Sequence, residues 1–111
     1  MAKIERFEDI KAWQLGRELI KVIYSLAKKK DFSKDYGLKD QIQRASVSIM
    51  SNISEGFERY SKKEFVQFLN IAKGSAGELR SHLYIALDLE YITEKEFNRA
   101  KDQCEVVSKH I

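Results

Sequence analysis

The sequence predicts an all-α fold, an antiparallel up-down four-helix bundle, and three observations carry that expectation. The chain of 111 residues has no Pro and only five Gly, so it lacks the turn punctuation that a set of short strands needs. Apolar residues recur every three or four positions through four separate stretches, which is the helical period. Short polar links join those stretches, and short links make consecutive helices antiparallel neighbours. At this length one domain, residues 1–111, with a single core is expected.

The first helix is expected over about residues 7–29. Ile10, Trp13, Gly16, Ile20, Ile23 and Ala27 mark its seam. Lys28, Lys29 and Lys30 suit its C-terminus, where the helix dipole favours cations. The stretch "DFSKDYG" reads as a loop leading to a second helix from about Leu38. There Leu38, Ile42, Ala45, Ile49, Asn52 and Gly56 keep a 4-3-4-3-4 spacing, which Tyr60 extends by four. That unbroken phase carries the helix through Gly56 to just before Ser61. The alternative makes Gly56 a left-handed C-cap, with "FERY" as loop.

The third helix opens with "SKKE", in which Ser61 and Glu64 are placed to form a capping box. Its seam is Phe65, Phe68, Ala72, Ser75, Leu79, Leu83 and Ala86, running to about Glu90. The fourth opens the same way with Thr93 and Glu96. Phe97, Ala100, Cys104, Val107 and Ile111 form its seam.

Function is less legible than fold. The net charge is +3, and residues 1–30 carry eight Lys and Arg against four acids. The positive surplus therefore belongs to the first helix and its ends. Apolar residues cover about half of that helix's circumference, more than the stripe a bundle needs. Its remaining side carries Lys11, Arg17, Lys21, Lys28 and Lys29, the candidate phosphate contacts. A basic helical face can equally be a solvated one. On the third helix Ile71, Gly74, Glu78, His82, Ile85 and Leu89 lie outside the main seam. Ile71, Gly74, Glu78, Ile85 and Leu89 are the candidate interface between copies, since apolar patches of that kind mark contact surfaces. Single exposed apolar residues are the ordinary alternative.

The second helix sets Gln41, Arg44, Ser48, Asn52, Glu55 and Arg59 in a narrow polar strip, with Gly56 on the packed side beside it. If the strip sits at a seam its groups must bond one another, because an unpaired buried polar group costs roughly 1–3 kcal/mol. A boundary stripe without function has the same pattern.

Little points to catalysis. The single Cys104 excludes an internal disulfide and a cysteine-based zinc site, and on a core seam it acts as a small hydrophobe. Glu78 and His82 stand four apart, not at the Glu-x-x-His spacing of di-iron bundles. No catalytic residue, metal or cofactor is expected. The opening "MAKIERFEDIKAW" has no apolar leader, and no window approaches the ~20 apolar residues of a membrane span. A soluble cytoplasmic protein without a membrane partner is expected.

The stretch "YGLKDQIQRASVSIMSNISEGFERYSKKEFVQFLNIAKGSAGEL" resembles the signature region of the four-helix bundle proteins encoded by intervening sequences in bacterial 23S ribosomal RNA genes. That family's Asn-Ile-x-Glu-Gly core matches Asn52, Ile53, Glu55 and Gly56. Its Gln-Ile-x-Arg-Ala matches Gln41, Ile42, Arg44 and Ala45, and its Ile-Ala-x-Gly-Ser with Glu-Leu matches Ile71, Ala72, Gly74, Ser75, Glu78 and Leu79. "FEDIKAWQLGREL" and "ALDLEYIT" extend the likeness to nearly the whole chain. Ser54 stands where the family usually has Ala, and a fourth helix running beyond Ile111 would be usual. The resemblance implies a ring-like homopentamer. It is related to the accessory protein of diversity-generating retroelements, which works with a reverse transcriptase and nucleic acid. Two functions compete: low-specificity binding of RNA or DNA by a homo-oligomer, and a scaffold that docks a protein partner such as a polymerase.

Overall fold

The computed structural model describes residues 3–111, and these form four α-helices with no strand among them. They are α1 (Lys11–Ala27), α2 (Tyr36–Phe57), α3 (Lys62–Asp88) and α4 (Glu94–His110). Each helix carries one apolar stripe at the helical period, and burying that stripe requires the other helices. α1 packs on α2 and α4, α3 packs on the same two, and α2 with α3 is the most extensive pair. Four stripes thus close round one core. Cross-helix pairs run in opposite senses. Ser48 meets Ser75 where Gly56 meets Phe65 and Phe68, and Ala76 meets Cys104 where Tyr84 meets Phe97. These neighbours are antiparallel.

Leu19, Ile23, Ile42, Ile49, Ile53, Leu79, Leu83 and Val107 are fully buried. Each contributes roughly 1.5–3 kcal/mol by leaving water. Cys104 joins them, its Sγ donating to the Ala76 carbonyl at 3.1 Å. Burial pushes its pKa up to about 11, which keeps the thiol protonated and unreactive.

The helix ends depart from expectation for local reasons. The first α-helix begins at Lys11, because Phe7–Asp9 form a separate 3-10 turn and Ile10 is extended. Gln14 Nε2 donates to the Glu8 carbonyl at 2.9 Å, and the Phe7 ring meets the Trp13 ring edge-on at 5.3 Å. The turn is thereby folded back on α1. The link to α2 is less plain than its composition indicates. Phe32 is buried and stacks on Tyr91 with ring centroids 5.4 Å apart. Asp35 accepts from the Leu38 amide at 3.1 Å and from the Tyr91 hydroxyl at 2.9 Å. That bond raises the Tyr91 pKa. It also sets the start of α2 at Tyr36 and ties it to the α3–α4 link.

α2 does run through Gly56, but it stops at Phe57, and Tyr60 is fully exposed rather than on the packed side. The chain has to become extended at Ser61 to cap α3, so the helix cannot reach that far. Ser61 Oγ accepts from the Glu64 amide at 3.1 Å. The Glu64 carboxylate takes the Ser61 hydroxyl, not its backbone N–H, so this box is half formed. The box at Thr93 and Glu96 is complete. Between them α3 ends with Glu90 in the left-handed region, φ 61°. The Tyr91 and Glu90 amides bond back to the Ala86 and Leu87 carbonyls at 2.9 and 3.0 Å, the pairing of a Schellman end. No helix among the described residues is long and apolar enough to cross a membrane.

Candidate nucleic-acid interface

α1 turns Ala12, Gly16, Leu19, Ile23, Leu26 and Ala27 into the core. At about 100° per residue this aims Arg17, Lys21 and Lys28 outward in one stripe. All three are exposed, as is Lys11, which lies about 100° round the axis from the stripe. Lys21 pairs with Glu18 at 3.1 Å. Lys11, Arg17 and Lys28 have no carboxylate partner among the described residues. The Arg17 guanidinium lies over the Trp13 ring, 5.9 Å from its centroid.

Lys29 departs from the expected set. It is half-buried and pairs with Glu96 on α4. Glu96 also accepts from the Thr93 amide at 2.8 Å as part of the α4 cap. The Lys29 ammonium, followed by that amide, holds the Glu96 carboxyl below the usual carboxylate range. Lys29 is therefore occupied in joining the end of α1 to the start of α4. Arg99 takes its place in the basic surface: exposed on α4, it lines a depression of about 300 Å³ together with Lys21. No one-dimensional pattern marks Arg99, because its place beside Lys21 follows from the packing of α4 against α1.

The polar strip of α2 separates into three parts. In the middle, Asn52 Nδ2 donates to the Ser48 carbonyl at 2.8 Å and to its hydroxyl at 2.9 Å. Ser48 Oγ in turn lies 2.9 Å from Ser75 Oγ, which crosses to α3. Toward the N-terminus Arg44 bonds Asp40 at 2.9 Å, and exposed Gln41 joins no network among the described residues. Toward the C-terminus Arg59 bonds Glu55 at 2.8 Å, reaches Glu64 at 3.7 Å, and lies 4.9 Å over the Phe68 ring. Arg44 and Arg59 are thus engaged locally. Gly56 is buried against Phe68.

On α3 and at its C-cap, Ile71, Ile85 and Leu89 are exposed, at 51%, 44% and 51%, and so are Gly74 and Glu78. His82 is not part of that surface. It is buried, and its Nδ1 has no hydrogen-bond partner among the described residues. The register set by Ser48–Ser75 and Gly56–Phe68 lays Ile71 alongside the Asn52–Glu55 turn of α2. The apolar stripe of α3 and the polar strip of α2 consequently share one face of the bundle.

The model of the 23S rRNA-intervening sequence proteins matches residues 8–111. The chain belongs to this family. It is also similar to a solved crystal structure, that of a protein with unknown function from the S23 ribosomal protein family of Bacteroides thetaiotaomicron. The two are 26% identical and superpose with a TM-score of 0.81 over 88% of this chain and 92% of that one. Comparison with curated proteins gives no significant match. Membership of the 23S rRNA-intervening sequence family thus fixes the fold and assigns no ligand.

Proposed function

We propose that this family member is a non-enzymatic, cytoplasmic homo-oligomer, a ring of five copies, that binds RNA phosphates with low sequence specificity through the outer face of α1. The observation that carries the reading is the exposed Arg17–Lys21–Lys28 stripe with Arg99 beside it. Cations so placed give sequence-independent affinity. One such stripe is modest, and symmetric repetition in an oligomer multiplies it. The exposed apolar stripe of α3 supports self-association. That stripe is also what favours the second reading, a scaffold docking a protein partner such as a polymerase.

Light scattering at rising salt, with and without a structured RNA, separates the readings. The expected result is a particle near five times the 13.0 kDa chain mass that takes up RNA at low salt. It should lose that capacity when Lys21 and Lys28 become Glu. An oligomer indifferent to RNA at every salt concentration would replace RNA binding with the scaffold reading, and a monomer would remove the ring.

A further inference from the structure

Between the Phe7–Asp9 turn and the outer side of α1 lies an open depression of about 640 Å³. Its lining joins an aromatic ring, Trp13, to the cations Lys11, Arg17 and Lys21. Resting on the RNA-binding reading above, we propose that this depression takes an unpaired nucleotide, with the base slotted between the Trp13 indole and the Arg17 guanidinium.

Three features lead there. The first is spacing. The Arg17 guanidinium lies over the Trp13 ring with its central carbon 5.9 Å from the centroid, at the outer limit of a cation–π contact. A base stacked between the two needs about 7 Å, twice the contact distance. Arg17 is exposed and without a carboxylate partner among the described residues, so its flexible stem is free to lift the guanidinium off the indole and admit a base. Both walls are groups on which unpaired bases stack.

The second feature is support. Phe7 braces the indole edge-on, and the Gln14 bond to the Glu8 carbonyl holds the turn that carries Phe7. The ring is therefore set in place before a ligand arrives, and less ordering cost accompanies binding. The third is charge. Two acids line the depression, but Glu18 is paired with Lys21 and Glu8 with Arg6 at 3.7 Å. Lys11 is left for phosphate while Arg17 covers the base. Bases in a duplex are stacked on their neighbours and cannot enter, so the site selects unpaired strands.

The test uses the full chain and an oligouridylate of about 12 nucleotides, within the usual footprint of single-strand binders. It is compared with the same strand annealed to its complement at equal salt. The single strand should bind roughly tenfold tighter and quench the fluorescence of Trp13, the one tryptophan of the chain. Trp13→Leu keeps apolar bulk against Phe7 and should cost roughly 5- to 100-fold for the single strand, read with labelled RNA, with little change for the duplex. Trp13→Phe should restore most of it. Equal binding of both forms with unchanged Trp13 fluorescence, still lost on Lys21→Glu, would overturn the stacking site and leave phosphate binding standing. Failure of both forms to bind would remove the stacking site and phosphate binding together.

Discussion

A β-carbon placed on Gly56 would stand 2.6 Å from the Cβ of Phe68, so α2 and α3 touch backbone to side-chain root at this crossing. Phe65 closes the same gap from the side, at 3.1 Å. In an open helix Gly→Ala is worth roughly 0.5–1 kcal/mol in stability. Here the obstructing atom is fixed to the α3 backbone and cannot swing away, so the helices must part, at a typical overpacking cost of roughly 1–3 kcal/mol. Gly56→Ala should therefore lower stability by about 1–2 kcal/mol, a lower urea midpoint at unchanged slope. An unchanged midpoint would mean that the end of α3 can lift without loss.

Gly74 is the converse. Nothing lies within 4 Å of where its Cβ would be, so Gly74→Ala should raise thermal stability by about 0.5–1 kcal/mol. It also sits between Ile71 and Ile85 on the face proposed for self-association. Ile85, 44% exposed, can become Glu without disturbing the core. Ile85→Glu should keep its helical circular dichroism and scatter light as a smaller particle. A particle of unchanged mass would move the interface off α3.

His82 makes stability depend on pH. Burial lowers its pKa below the usual 6.5, and Glu78 one turn before it opposes this more weakly. The unfolded chain thus binds the proton more readily than the folded one. Stability from this source is complete above about pH 6.5 and is lost as the pH falls from there through the folded pKa. His82→Leu removes the titration and the unpartnered Nδ1. Its urea midpoint should change less than that of the wild type between about pH 7.5 and about pH 5.5. Parallel pH dependences would show that another group is responsible.

Glu90 holds a left-handed conformation, φ 61°, that side chains avoid and glycine adopts freely. The Schellman bonds require it there. Glu90→Gly should add about 1 kcal/mol of stability, seen as a higher melting temperature. A fall would show that the Glu90 side chain makes a compensating contact.

Much of the fold was legible because period survives in one dimension. The α4 seam of Phe97, Ala100, Cys104 and Val107 is buried as its spacing indicates. Phe32 was not legible, since one aromatic in a polar link has no period, and its burial follows from packing into the core with the Tyr91 ring stacked on it. The apolar spacing puts Ser75 on the main seam of α3, whereas the core position is its neighbour Ala76. One residue turns a helix by about 100°, and that step hands the Ser75 hydroxyl to Ser48. The basic face could be counted in sequence, but which cation is free depends on another helix. Glu96 takes Lys29, and the packing of α4 brings Arg99 in.

Lys28 and Lys29 turn that last distinction into a measurement. They are adjacent in sequence and equal in charge, yet Lys28 points to solvent while Lys29 bonds Glu96. Lys29→Ala should cost up to about 1 kcal/mol of stability, the range of a partly exposed pair. It should also let the Glu96 carboxyl titrate closer to the ordinary range, because the Lys29 bond is the chief cause of its lowered pKa. RNA affinity should change little. Lys28→Ala should do the reverse, leaving the urea midpoint in place. It should flatten the dependence of log affinity on log salt by about 0.7 for each lost contact with a single strand. Equal flattening by both substitutions would mean that RNA pulls Lys29 away from Glu96, and the phosphate-binding surface would then extend over the α4 cap.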